Sequence, residues 1–118
     1  VADNISAGVA NSVLGLLLNG AGFAGFAATY VKLHVGAPGA SGTSNPAGNT
    51  TRPAAGAFAA PAGGSTTNNA AITWTGVSTS ETYTHVSLWD NTSGGTFIAS
   101  GSITAGAILA GQNFSIPA

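Results

Sequence analysis

No cysteine occurs in the 118 residues, which rules out disulfides, thiolate metal sites and thiol catalysis. Charge is nearly as scarce. Asp3, Lys32, Arg52, Glu81 and Asp90 make up 4% of the chain, against about a quarter in an average soluble protein. Two cations cannot neutralise a run of phosphates, so no nucleic-acid partner is expected. Three scattered carboxylates with His34 and His85 fall short of the convergent ligands a zinc site needs, so no metal and no cofactor are expected. Glu81 and Asp90 bracket one candidate strand and stand about 30 Å apart at ~3.3 Å per residue, too far for a glycosidase pair. His85, Ser87 and Asp90 have the residue types of a triad, but no nucleophile elbow accompanies them. The glycine-rich stretches at Gly36 and Ser93 lack the Lys-Ser/Thr that completes a phosphate loop. No enzyme is expected. The uncharged stretch between Asp3 and Lys32 is long enough to span a bilayer, but Asn4, Asn11, Ser12, Asn19 and its glycines make that costly, so no membrane partner is expected.

What the chain does have is Thr, Ser, Asn and Gly for its polar surface, with a formal net charge of -1. Such a surface is poor at repelling neighbours, since solubility of a free monomer rests on mixed charge and a net charge away from zero. The composition therefore suits a component of a stable assembly. The clearest local signal is a hairpin over 82–104. Val86 and Leu88 share one face of its first arm, with Tyr83, His85 and Trp89 opposite. Phe97, Ala99, Gly101 and Ile103 share one face of the second arm, with Ile98 the exception. The loop from Asp90 to Gly95 supplies turn formers.

Around this hairpin the pattern predicts a helix from Asp3 to Leu18, capped by Asp3 or Asn4 and stopped by Asn19-Gly20. Ile5, Val9, Val13, Leu16 and Leu17 form its apolar stripe, either covering the core or docking on a neighbouring subunit, and Leu14 and Leu18 lie off it. Residues 20–28 read as a connector anchored by Phe23 and Phe26. Tyr30–Val35 reads as a strand with Val31, Leu33 and Val35 inward and Tyr30, Lys32 and His34 outward. Gly36–Pro53 has loop chemistry and is expected over the surface or over a neighbour. A short edge strand is expected at Ala54–Ala60, a turn region at Pro61–Asn69, and strands at Ala71–Val77 and around Phe114 and Ile116. Ala105–Ala110 stays open between loop and strand. The sum is a mainly β fold: an antiparallel β-sandwich or open barrel (29–118) with an N-terminal helical arm and Gly/Ala connector (1–28). Trp74, Trp89, Tyr83 and Tyr30 are candidates for core or interface packing, or for a sugar-stacking platform.

Several segments together resemble a family of small tailed-bacteriophage virion proteins. They are Ala2-Asp-Asn-Ile-Ser before the Leu-rich helix, Tyr30-Val-Lys-Leu-His-Val-Gly-Ala-Pro-Gly-Ala-Ser-Gly-Thr, Asn45-Pro46-Ala47, Thr51-Arg52, Ile72-Thr-Trp-Thr-Gly-Val, Tyr83-Thr-His-Val-Ser-Leu-Trp-Asp, Ser93-Gly-Gly-Thr-Phe and Ser100-Gly-Ser. The resemblance covers nearly the whole chain in order. It implies a non-enzymatic virion protein, and that members run a few residues past Ile116-Pro117-Ala118. The leading expectation is a capsid decoration protein on the outer shell, binding itself as a symmetric homo-oligomer and the major capsid protein. The alternative is a minor tail or fibre protein with tail partners. A weaker one is a carbohydrate-binding module using Trp89 and Tyr83. Ile5, Val9, Val13, Leu16, Leu17, Pro38, Pro46 and Arg52 are the expected assembly contacts.

Overall fold

The hairpin foreseen over 82–104 is the centre of the molecule. The computed structural model describes residues 4–118. The hairpin's arms are β4 (Glu81–Trp89) and β5 (Phe97–Ile108), paired antiparallel. The chain begins with β1 (Asn4–Ile5) and α1 (Ala7–Asn19), followed by β2 (Tyr30–His34) and β3 (Ile72–Trp74), and β6 (Phe114–Ile116) closes it. One sheet has the order β1-β5-β4-β2, with antiparallel neighbours throughout, and β3 and β6 form a separate antiparallel ribbon. The fold is mainly β with one N-terminal helix, as the sequence implies. The segment expected to be an arm also supplies strand β1 to the sheet.

Cross-strand neighbours share a face, so the register sorts the side chains. Val31, Leu88 and Ala99 lie together, as do Leu33, Val86 and Gly101. This face meets the β3–β6 ribbon, and Val31, Leu33, Ile72, Trp74, Val77 and Tyr83 form the core with Phe114 and Ile116 packed against it. The opposite face carries Tyr30, Trp89 and Phe97, then Lys32, Ser87 and Ser100, then His34, His85 and Ser102. The segment 36–53 folds back over that face. Val31 donates its N–H to the Pro53 carbonyl, Ala47 to that of Leu33, and Val35 to that of Asn45. The outer edge of β2 is thereby paired within the chain, which removes an exposed strand edge.

Two irregularities alter the expected facing. The register slips between Leu88 and Trp89, so Phe97 lies across from Trp89 while Ala99 lies across from Leu88, on the other face. A second slip between Tyr83 and His85 lets Tyr83 turn into the core, away from His85 and Trp89, with which alternation had grouped it. β2 also departs from expectation at its end. His34 is wholly buried and Val35 is 41% exposed, because the 36–53 segment, and not solvent, covers the face to which His34 belongs.

Other boundaries moved for local reasons. The helix starts at Ala7, after the backbone of Asn4 and Ile5 has joined β5, and its cap is Ser6, whose Oγ accepts the Val9 N–H (3.2 Å). Asp3, the other expected cap, lies outside the described residues. Gly20 ends the helix in the left-handed conformation (φ 64°). No strand forms at 54–60. Ala54 and Phe58 make only isolated bridges, to Tyr30 and Asn68, and Phe58 is exposed. The open stretch at 105–110 resolves as strand through Ile108, where pairing of Glu81, Thr82 and Tyr83 extends β5.

Candidate functional site

Two regions stand out: a buried polar network under the 36–53 segment and an exposed apolar helix. In the network, the His34 Nδ1–H donates to the Ser44 carbonyl (2.9 Å). That tautomer leaves Nε2 as an acceptor for the Ser87 hydroxyl (2.7 Å), whose oxygen accepts the Trp89 indole N–H (2.7 Å). Each polar atom has a partner, and the imidazole must be neutral to satisfy them. Burial lowers the His34 pKa, the Ser44 carbonyl opposes this, and the nearby Lys32 charge reinforces it. A serine hydroxyl on a histidine nitrogen resembles a nucleophile and its base. Here both groups are sealed from solvent, and the second histidine nitrogen meets a peptide carbonyl instead of a carboxylate. Ser87 thus pairs with His34 and not with His85, whose Nδ1 meets Thr84 Oγ1 (2.8 Å).

Beside the network, the Arg52 guanidinium stacks 4.3 Å from the centre of the Trp89 ring. Its Nη1 donates to the carbonyls of Asn91 (3.1 Å) and Gly94 (2.8 Å), so it braces the β4–β5 turn. The Thr96 N–H closes that turn on Asp90 Oδ1 (2.6 Å). Partial burial lowers the Arg52 pKa and, with the Arg52 charge, that of Lys32. Just upstream of Arg52, Glu81 accepts the N–H groups of Gly48 (3.1 Å) and Asn49 (3.3 Å).

The expected assembly contacts are dispersed. Pro38 is fully buried beneath the chain's own fold, Val9 is 7% exposed and Val13 is half-buried. Pro46 is exposed and bridged to His34, while Arg52 is half-buried on Trp89. Ile5, Leu16 and Leu17 lie open to solvent, Leu17 at 71%. Leu14 (52%) and Leu18 (76%), which fall off the stripe drawn from the sequence, are open as well. Trp89, Tyr83 and Trp74 are all buried, so none offers a ring for stacking on a sugar. The Tyr83 hydroxyl has no hydrogen-bond partner, and its pKa is raised by burial first and the Glu81 charge second. An open groove of about 300 Å³ runs between β5 and β6, lined by Ile103, Thr104, Phe114, Ser115, Ile116 and Pro117. Among the described residues no cluster of three metal-ligating side chains occurs, and no helix is long and apolar enough to cross a membrane.

A family model described as podophage GP4 fiber I protein gp80 matches residues 4–118. The chain belongs to this gp80 family. It is a phage structural protein, as the resemblance implied. The match takes in β1, α1 and every strand of both sheets, so helix and β-body are parts of one family unit. No curated protein matches the chain. The network residues His34, Ser87 and Trp89 escaped the sequence reading because alternation alone placed His34 beside Lys32 on a solvent face. A usable signal was the polar pair His34 and Ser87 on strands otherwise filled with β-branched and aromatic residues.

Proposed function

We propose that the chain is a non-enzymatic structural subunit of a phage fibre, carried at the tail of the virion, in preference to a capsid decoration protein. The observation that carries this is the gp80 family match over residues 4–118, whose description is that of a fiber protein. The chemistry supports it. The polar groups that most resemble a catalytic pair are buried and mutually satisfied, and the surface is built from uncharged polar residues suited to lasting contact. Its partners are then other copies of itself and neighbouring tail proteins. Gold-labelled antibody on purified particles tests the reading: label confined to the tail or its fibres is expected. Label spread over the whole head would overturn it in favour of shell decoration.

A further inference from the structure

Helix α1 exposes an apolar face that its own chain does not cover. At about 100° per residue, Ala7, Ala10, Leu14, Leu17 and Leu18 fall within an arc of roughly 100°. Ala7, Ala10, Leu14 and Leu17 follow one another at steps of three, four and three, the spacing of a coiled-coil seam. The chain covers a different side most fully, where Val9 is the buried residue of the helix and Val13 is half-buried; on the seam Leu14, Leu17 and Leu18 are exposed and Ala10 is half-buried. Asn11, Ser12, Gly8, Gly15 and Asn19 fill the remaining arc, and the helix carries no charged residue.

We infer that this seam packs against the same seam on other copies of the chain. Three features select a second copy over another partner. The heptad spacing presents rows that fit the like-spaced rows of an identical helix. No charge on the helix could select an oppositely charged surface. Large Leu14 and Leu17 are followed toward the N-terminus by small Ala10 and Ala7, so an antiparallel second copy sets each Leu opposite an Ala. The area sets the strength. Leu14, Leu17 and Leu18, exposed by 52%, 71% and 76%, each offer on the order of 100 Å², and so a few hundred Å² together. A stable interface takes about 800 Å² from each partner. The seam alone therefore gives a weak, concentration-dependent association, which other contacts in an assembled particle would reinforce. This inference goes beyond the fibre assignment and does not depend on where in the virion the chain sits.

The absence of cysteine gives a clean probe. Full-length chains carrying Ala7→Cys, Leu17→Cys or, on the opposite arc, Ser12→Cys are oxidised singly and in pairs. Disulfide-linked dimers are expected for Leu17→Cys alone if the helices run parallel, or for Ala7→Cys mixed with Leu17→Cys if they run antiparallel. Ser12→Cys should give roughly tenfold less of either. Sedimentation of the unmodified chain from roughly 1 μM to 1 mM should show self-association. The pair Leu14→Ser and Leu17→Ser should weaken it by about tenfold or more, whereas Leu16→Ser, off the seam, should change it little. Leu14 and Leu17 are solvent-exposed, so these variants should keep the fold, which circular dichroism checks. A chain that stays monomeric throughout, or an oligomer indifferent to the seam pair, would overturn the inference.

Discussion

Ser87 shows how much one small side chain can hold. Its hydroxyl sits between the His34 imidazole and the Trp89 indole, both buried. Ser87→Ala leaves an acceptor and a donor without partners, at about 1–3 kcal/mol for each buried group. A loss of roughly 2–4 kcal/mol is expected in urea unfolding, with the family fold retained. His34 adds a pH dependence. Its folded pKa lies below the ordinary value of 6.5, so the unfolded chain binds the extra proton. Its contribution is complete above pH 6.5 and declines as pH falls from there toward the folded pKa, with a slope of at most about 1.4 kcal/mol per pH unit. Urea midpoints between about pH 7.5 and 5.5 should fall for the native chain and stay nearly level for His34→Gln. An equal decline in both would assign the effect to other groups.

At the scale of elements, the 36–53 segment and α1 behave in opposite ways. The segment has almost no regular structure, yet it is fastened at several points: at Gly48 and Asn49 by Glu81, at Arg52 by Trp89, and at Asn45, Ala47 and Pro53 by bonds to residues 31–35. Gly42 lets it approach the sheet, with φ 73° and a position where a Cβ would overlap the Phe97 ring. Gly42→Ala combines left-handed strain with overpacking and should cost roughly 2–4 kcal/mol, read by thermal or urea unfolding. Little of α1 is buried beyond Val9, and a 13-residue helix is marginal by itself. Ser6→Ala removes its cap, worth about 1 kcal/mol. The expected result in dilute solution is a smaller helical circular dichroism signal with a urea midpoint nearly unchanged, since the cap holds the helix and not the sheet. A full drop in the midpoint would mean that α1 and the β-body unfold together.

For the whole molecule, stability should be graded along the chain. Amide exchange is expected to be slowest in β4 and β2, whose edges are paired on both sides, and fastest in α1 and the connector. Protection of α1 equal to that of β4 at low concentration would refute this gradient. Composition and periodicity alone determined that the chain is a mainly β body with an N-terminal helix, that its centre is the 82–104 hairpin, and that it is poor in ionisable chemistry. Those properties are local or additive, so residue type and spacing carry them. Tertiary structure alone decided that Tyr83 turns inward, that His34 is buried beside Ser87 and that Pro38 is covered. Each depends on a register slip or on a segment folding back from far along the chain. The same holds for α1. Its sequence marks several apolar residues, but only the way the helix leaves the sheet decides that Val9 is buried while Leu14, Leu17 and Leu18 face outward.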